Sequence, residues 1–599
     1  MNKMKLLESL DSGSNYNFGE KMNQPKNPKS LFDLSHLSTM TIPNAGYVIP
    51  ITQFEALPGD DHDINVDCLL RVLPQVVPLY SRQRLYVYAF YSRYSDLWNN
   101  WQPFMDKGYT GNVEYLIPSL KTNTNFSMGD NTDTSIPADS LLNYMGLPIG
   151  ATYSSLFNGD NSAHISALPQ MALLRIYRDY FMNKNEFIND RVMLPDDDSR
   201  FRLDNDGKLL SAKDQNKNFY FSNRPSYDLE ISGNNYYFSG FYHEYPDDYF
   251  ISALPFTQRG TAPKLDFNID PTALGIDFSN VFGVTGGTTI RYLGVAPSSI
   301  GDTNKIAAFD DHNSSYYANP ESNYTNSAKT AFNKAKITGS SLPASITLEE
   351  IRELALAQTE MEILARTDGS YAQFGLSFFG EVSKAAHDYR STYIGGVYKN
   401  IAFTEVLQTS ESTNGNPLGN YGGHGITGMS NSRLGHIHCD DYGIITILAC
   451  IMPDIYYSQG LSRLFTDRVQ AEKYLPLRSK LGLQPIYNKE LYYAGNNGNE
   501  EGEDNYLWAY QNPFDHLRYI PSRICGKIAD PNNNSFIPYT QSRIFTQLPN
   551  WGRSFSEAND VRKDYLAGNT AEDAYTAQFK INIRSVREMP YKSVPAQII

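Results

Sequence analysis

The chain of 599 residues lacks several features that mark secreted, membrane-spanning or nucleic-acid-coating proteins. It contains no run of about 18 apolar residues, which argues against a membrane-spanning helix. Its first residues hold no apolar core of a signal peptide, so we expect a soluble protein made inside a cell. The formal net charge of −14 excludes a surface that is basic overall. Cysteine is scarce and forms no CxxC pair, so we expect reduced, mostly buried thiols at Cys68, Cys439, Cys450 and Cys525.

Motifs that carry catalysis or bind cofactors are also missing. No GxSxG, HExxH or GxGxxG motif occurs. His436 and His438 would lie on the same face of a strand, as a zinc pair requires, but no third ligand has a suitable spacing, so we predict structural or interface histidines. The acidic segment 60–63 has oxygen ligands for Ca²⁺, although a solvated turn is the simpler interpretation. We therefore predict no catalytic residues, no metal and no cofactor.

Aromatic and turn-forming residues are abundant instead. Tyr and Phe number 43 and 31, and the chain has 42 glycines and 32 prolines, a balance that favours strands joined by many turns. Alternation predicts a strand at 62–73, and runs that are apolar on both faces predict buried strands at 84–94 and 443–452. Helical patterns at 169–183 and 347–366 fall within the long loops. The prediction is a mainly β fold, an antiparallel jelly-roll sandwich with long loop insertions that contain several α-helices.

The sequence also indicates how the chain is organised. Residues 1–40 are polar and turn-rich, which predicts a flexible N-terminal arm. We expect residues 41–599 to form a single jelly-roll domain with large insertions at about 110–245 and 261–346 and a basic tail at 576–599. The polar, Gly- and Asn-rich composition of 261–346 suits an external loop region.

Several peptides, in order along the chain, resemble motifs of the Microviridae major capsid proteins, in particular their gokushovirus- and alpavirus-like branch. The peptides that carry this resemblance include AGYVIP at 45–50, WNNWQPFM with Trp98 and Trp101, YFISALPFTQRG with Tyr249, Pro255, Gln258 and Gly260, YSQGL with Gln459 and Gly460, NKEL at 488–491 and REMP at 587–590. One departure is the segment after the long predicted helix, EILARTDGSY at 362–371, which has one Gly and no second Arg where the family has an Arg-Gly-Gly-Thr-Arg pattern. The contact that this segment makes in relatives is therefore in doubt for this chain.

The resemblance implies a structural protein and not an enzyme. It implies an eight-stranded jelly roll whose copies close a T=1 icosahedral shell around circular single-stranded DNA, with assembly in the host bacterial cytoplasm and a final place in the virion. The implied partners are the chain itself, the genomic DNA, a small basic DNA-packaging protein, a minor or pilot protein and a host-cell receptor, with no membrane insertion. It also implies that the insertion at 261–346 is a surface protrusion.

Two basic segments of this acidic chain are candidates for DNA contact. Residues 461–480 contain Arg463 and Arg468, and the tail contains Lys580, Arg584, Arg587 and Lys592 interleaved with aromatic residues. Cations together with aromatic rings suit the binding of single-stranded DNA, whose phosphates attract the cations and whose bases stack on the rings. For both segments, an ordinary solvated surface or an intersubunit surface is the alternative. Two other functions stay open from the sequence. One is a secreted carbohydrate-binding β-sandwich, which should carry a signal peptide, and the other is a polysaccharide-cleaving enzyme, which needs a facing carboxylate pair.

Overall fold

The structure is a computed structural model. It describes residues 28–98, 100–107, 117, 136–150, 165–181, 240–263, 348–367, 371–381, 390–407, 409, 421–480, 482–495, 504–532, 535–567 and 572–592, together with the backbone of short strands between 202 and 338. Within these ranges the chain divides into two compact units, of which the second spans Gly260–Met361. The predicted insertion at 261–346 lies inside this second unit.

The core of the first unit consists of two antiparallel sheets, here called sheet I and sheet II. The strands of sheet I are β1 (Ser30–Asp33), β2 (His36–Ile42), β4 (Asp61–Val72), β17 (Ala402–Thr404), β18 (His424–His438) and β22 (Tyr575–Arg587). The strands of sheet II are β3 (Val48–Ala56), β5 (Gln83–Arg93), β16 (Thr392–Asn400) and β19 (Gly443–Pro453). Sheet I has the order β1-β22-β4-β18-β17, with β2 also paired to β22, and sheet II has the order β16-β5-β19-β3.

Shorter elements lie in the connections. The remaining strands are β6 (Arg202–Leu203), β7 (Leu209–Leu210), β8 (Asn218–Phe221), β9 (Leu229–Ser232), β10 (Asn235–Phe238), β11 (Gly275–Asp277), β12 (Ile290–Val295), β13 (Ile306–Asp310), β14 (Asn313–Tyr317), β15 (Lys336–Thr338), β20 (Gln484–Tyr487) and β21 (Leu507–Gln511). The helices are α1 (Tyr94–Leu97), α2 (Trp101–Asp106), α3 (Leu141–Tyr144), α4 (Leu168–Ile176), α5 (Leu348–Ala365), α6 (Tyr371–Phe379), α7 (Arg463–Thr466), α8 (Asn488–Leu491) and α9 (Arg553–Ser556). None of the helices in the described ranges combines the length and apolarity that a bilayer span requires.

Side-chain alternation explains how the two sheets build one core. Along β4 and β22 every second side chain is buried, including Ile64, Val66, Phe579 and Ile583, while the residues between them face outwards. All eleven residues of β19 are buried, and helix α4 contacts this strand and its neighbour β5. The predicted β-rich fold, the strands at 62–73, 84–94 and 443–452 and the helix at 347–366 are confirmed. The helix predicted at 169–183 is α-helical from Leu168 to Ile176 and continues as a π-helical turn from Tyr177 to Phe181, and its last two residues lie outside the described residues.

The structure places strands at both ends of the chain. Residues 30–33 and 36–42 form strands β1 and β2, both paired with β22, although residues 1–40 are predicted from the sequence to be a flexible arm. Residues 575–587, placed mostly in the basic tail, form β22, which lies between β4 and these two strands. In β22 every second side chain is buried and most of these are apolar, whereas in β1 and β2 the inward positions include Ser30, His36 and Ser38, and Leu31 and Leu37 are exposed. Residues 1–27 and 593–599 lie outside the described residues.

Candidate functional site

The outer face of sheet I carries two of the cations predicted to contact DNA. Lys580 and Arg584 occupy exposed positions of β22, because their neighbours in sequence point into the core. The strand register places Lys580 opposite Asp67 and Arg584 opposite Asp63 on β4. Arg584 also lies opposite Asp33 on β1. Each cation is thus exposed to solvent but has a carboxylate on a neighbouring strand.

The carboxylate of Asp67 stays ionised on this face. Its pKa is lowered, because it accepts hydrogen bonds from the backbone N–H of Asn431 and from the side-chain amide of Asn582, the latter at 2.9 Å. The positive charge of Lys580 lowers the same pKa further. The outer face of sheet I therefore carries charges of both signs and is not uniformly basic.

Arg587, at the end of β22, has a different role from the one predicted. Its Nε lies 3.1 Å from Oδ2 of Asp60, a carboxylate that is fully buried. Burial raises the pKa of Asp60, and the guanidinium of Arg587 opposes that rise. The Arg587 side chain is only 16% exposed and also donates a hydrogen bond to the carbonyl of Glu55. Arg587 is therefore withdrawn from the DNA-contacting set, whereas Lys592 is exposed after the strand ends.

Asp60 belongs to a buried trio of the residue types found in serine hydrolases. The imidazole Nδ1 of His62 is 2.7 Å from Oγ of Ser585, and its Nε2 is 3.5 Å from Oδ2 of Asp60. Burial lowers the pKa of His62 to about 4, so the ring is neutral at neutral pH and the contact with Asp60 is then not an ion pair. All three residues have no exposed surface, so no substrate reaches the hydroxyl. The trio joins β4 to β22 and is structural.

The histidine pair on β18 lies at the same outer face. His436 is opposite Asp63 and His438 is opposite Asp61 in the register with β4. Nδ1 of His438 is 2.8 Å from Oδ1 of Asp61, and both side chains reach solvent. Among the described residues, no group of three His, Cys, Asp or Glu side chains is arranged to hold a metal ion. All four cysteines of the chain are unpaired, and only Cys525 is exposed.

Arg463, predicted to contact DNA, is instead part of a buried polar centre. Its Nε and Nη2 donate to the two carboxylate oxygens of Glu490 at 2.9 and 3.0 Å, and its side chain is 7% exposed. The hydroxyl of Tyr249 donates to the same carboxylate at 2.6 Å, and the backbone N–H of Tyr487 donates to it at 3.0 Å. A guanidinium committed in this way does not reach a phosphate, so Arg463 leaves the DNA-contacting set. Arg468, which follows α7, is exposed.

Several residues of the family-like peptides pack around the same centre. A Cβ atom on Gly460 would lie 1.9 Å from the carbonyl oxygen of Glu490, so only glycine fits there. Gln459 holds the neighbouring segment, since its amide donates to the carbonyl of Phe545 at 2.8 Å and accepts from its N–H at 2.7 Å. Glu490 is the site residue that sequence reasoning missed. In the sequence, only its place in the family-like peptide NKEL points to Glu490, because the residues that contact it are distant in sequence.

The other predicted structural residues lie in different surroundings. Trp98 and Trp101 are buried beside sheet II, where Trp101 packs against Tyr94 with 4.7 Å between ring centroids. Pro255 is exposed and Gln258 is half-buried. Gly260 has a φ of 97°, a left-handed backbone conformation that favours glycine.

Comparison with known proteins agrees with this architecture. The family model described as "Capsid protein (F protein)" matches residues 21–597. Capsid protein VP1 of Bdellovibrio phage phiMH2K is 23% identical over 555 residues, 91% of each chain. Capsid protein VP1 of Chlamydia phage 1 is 23% identical and that of Spiroplasma virus 4 is 24% identical, each over 95% of both chains. The resemblance to the major capsid proteins of the Microviridae is confirmed, and the chain belongs to the phage capsid protein (F protein) family.

Proposed function

We propose that this capsid protein assembles with copies of itself into a T=1 icosahedral shell that encloses a circular single-stranded DNA genome, and that it has no enzymatic activity. The observation that carries the proposal is the family match over 21–597, together with relatives named capsid protein VP1 that align over more than nine-tenths of the chain. The burial of the Ser585–His62–Asp60 trio supports a structural role, because a nucleophile without access performs no catalysis.

The strand order supports an eight-stranded jelly roll as the shell-forming domain. If β2, β3, β4, β5, β16, β18, β19 and β22 are numbered one to eight, sheet I has the order 1-8-3-6 and sheet II has the order 2-7-4-5. Two interleaved Greek keys produce this alternation of strands between two sheets. In this scheme β1 and β17 are short additions at the edges of sheet I, and the second unit is an insertion between strands four and five that forms the surface protrusion.

We propose that four exposed cations contact the DNA inside the shell, namely Lys580, Arg584, Lys592 and Arg468. Lys580 and Arg584 support this because they project from the same face of one strand. The chain as a whole is acidic, so most of the genome's charge must be neutralised by another component, proposed to be the small basic packaging protein. A minor or pilot protein and a host-cell receptor complete the proposed partners.

Expression of the chain alone, followed by electron microscopy and native mass measurement, tests the assembly. Sixty copies of a 67.6 kDa chain correspond to a particle of about 4 MDa with uniform diameter. A protein that stays monomeric at every concentration and ionic strength would contradict the proposal. Glycan binding by such a monomer would favour the carbohydrate-binding alternative.

A further inference from the structure

A cavity of about 220 Å³ lies in the first unit, between helix α8, the turn before β21 and the segment 546–548. Its lining includes Tyr492, Ala494, Asp504, Thr546, Gln547 and Leu548. Thr546 and Gln547 are exposed, so the cavity lies at the surface of the unit. Among the described residues that line it, Asp504 is the only charged one.

Asp504 contributes a buried carboxylate of which one oxygen lacks a partner. The residue is only 3% exposed. Its Oδ1 accepts a hydrogen bond from the backbone N–H of Ala494 at 2.9 Å, whereas its Oδ2 accepts none from the described residues. A buried charge and an unpaired acceptor both cost free energy. A positively charged donor in the cavity would therefore stabilise this site.

The chain near Asp504 does not supply that donor. The backbone N–H of Lys489 donates to the carbonyl of Asp504 at 2.9 Å, but the Lys489 side chain is directed elsewhere, because its Nζ donates to Oδ1 of Asn505 at 2.8 Å. The segment 496–503, which leads to Asp504, contains three Glu and no Lys, Arg or His. The cation must therefore come from another part of the chain or from another molecule.

The chemistry of the cavity favours an ammonium group over other cations. A guanidinium pairs best with both oxygens of a carboxylate, and Oδ1 of Asp504 is already bound to the N–H of Ala494. Ca²⁺ takes about six to eight oxygen ligands, whereas Asp504 is the single carboxylate among the described lining residues. An ammonium group is a point charge that one oxygen can bind, and the alkyl stem of a lysine can pack against Ala494, Leu548 and the ring of Tyr492.

We propose that this cavity receives a lysine side chain from a second copy of the chain, whose ammonium group pairs with Oδ2 of Asp504. The inference rests on the proposed shell assembly, in which identical copies cover one another's surfaces, and it assigns one of the contacts. The cavity and the lysine are different surfaces, so the contact is heterologous. The acidic segment 496–503 beside the cavity attracts the approaching lysine.

Saturation-transfer NMR on unassembled, full-length subunits tests the chemistry of the cavity. The probe is butylammonium, which reproduces the lysine side chain, and 1-butanol is its neutral counterpart. Butylammonium should give signals with the wild type that are about fivefold weaker with Asp504→Asn, because the amide has no charge for the ammonium group. Asparagine keeps an acceptor for the N–H of Ala494. Asp530→Asn, at an exposed carboxylate, is the control and should keep the wild-type signals.

The subunit concentration at which shells form tests the source of the lysine. Asp504→Asn should raise it about threefold or more, since each copy then loses an ion pair. Saturating butylammonium should raise it for the wild type, because the cavity is then occupied, and 1-butanol should not. The wild-type inhibition experiment decides the question even if Asp504→Asn unfolds, which circular dichroism would show.

Three results overturn the inference. The first is the absence of butylammonium signals with the wild type, and the second is unchanged wild-type assembly in saturating butylammonium. The third is displacement of butylammonium by CaCl₂ but not by NaCl of equal ionic strength, which would make the cavity a metal site. Failure of the proposed function is distinguishable, because the wild-type chain would then form no shells while the NMR comparison would still report on the cavity.

Discussion

Nδ1 of His62 on β4 and Oγ of Ser585 on β22 lie 2.7 Å apart, although 523 positions separate the two residues in sequence. The contact has no exposed surface and lies beside the buried carboxylate of Asp60. It ties two neighbouring strands of sheet I together through a group that titrates near neutral pH when it is free in solution.

The first prediction is that His62 makes the subunit less stable in acid. Burial lowers its pKa from 6.5 to about 4 in the folded state, so between these values only the unfolded chain takes up the proton. Above about pH 6.5 the free energy of unfolding should keep its full value. As pH decreases from about 6.5 to about 4 it should fall by about 3 kcal/mol. The raised pKa of Asp60 acts in the opposite direction, because the folded carboxyl takes up its proton first as pH falls.

Urea unfolding of unassembled subunits between pH 4 and 7 measures this dependence. His62→Gln should flatten the profile relative to the wild type. His438→Gln is the matched control, since the side chain of His438 is 60% exposed, and it should keep the wild-type slope. Equal slopes for wild type and His62→Gln would show that another group carries the acid sensitivity.

The second prediction concerns the buried pair of Arg463 and Glu490. Glu490→Gln leaves the guanidinium buried without a counter-charge and is expected to cost about 3–5 kcal/mol of stability. The double variant Arg463→Met with Glu490→Gln should cost less than Glu490→Gln alone, because it also removes the buried charge. Asp63→Asn, at the exposed pair of Arg433 and Asp63, should change stability by less than about 1 kcal/mol. A double variant less stable than the single would disprove this account.

The third prediction is that Gly460 tolerates no side chain. In Gly460→Ala the new methyl group would lie 1.9 Å from the carbonyl of Glu490, so the backbone must shift, at a cost of about 1–3 kcal/mol. Gly428→Ala is the control, because the nearest atom there is 3.8 Å from the new Cβ. Thermal unfolding should show a lower midpoint for the first variant only, and equal midpoints would refute the close approach.

The fourth prediction separates DNA contact from shell formation. Replacement of Lys580, Arg584 and Lys592 by Gln should leave the number of shells unchanged and reduce the DNA they retain, because phosphate contacts are lost. Arg82→Gln with Lys399→Gln, two exposed cations outside sheet I, should retain the wild-type DNA content. The ratio of absorbance at 260 and 280 nm of purified particles reports the result. Loss of shells together with DNA would assign the three cations to subunit contacts instead.

Much of the β core could be predicted because its strands carry their pattern locally. The alternation of β4 and the continuous apolar run of β19 each determine a strand and its burial from neighbouring residues alone. The same alternation is present in β22, where Tyr575, Phe579 and Ile583 are buried. The cations between these residues lie on the solvent face of the strand, a placement that the basic composition alone does not reveal.

The buried polar centre could not be predicted in the same way. Arg463 looked like an exposed cation because nothing near it in sequence indicates that Glu490 and Tyr249 converge on it. Burial of a charge depends on contacts between distant segments, which local pattern does not report. The same limit applies to Arg587, whose partner Asp60 lies at the other end of the chain.

The central position of β22 in sheet I fixes the order in which the protein can be completed during synthesis. Every strand of sheet II has been synthesised by residue 453, so that sheet can pair before translation ends. Strand β4, in contrast, lacks its neighbour β22 until more than 500 further residues have been translated. Until β22 emerges, β4 presents an open strand edge to other nascent chains, which is a hazard for aggregation. A chain that stops before residue 575 cannot close sheet I. Such a truncated product lacks the strand that joins β4 to β1 and β2, so its sheet I is divided into separate parts.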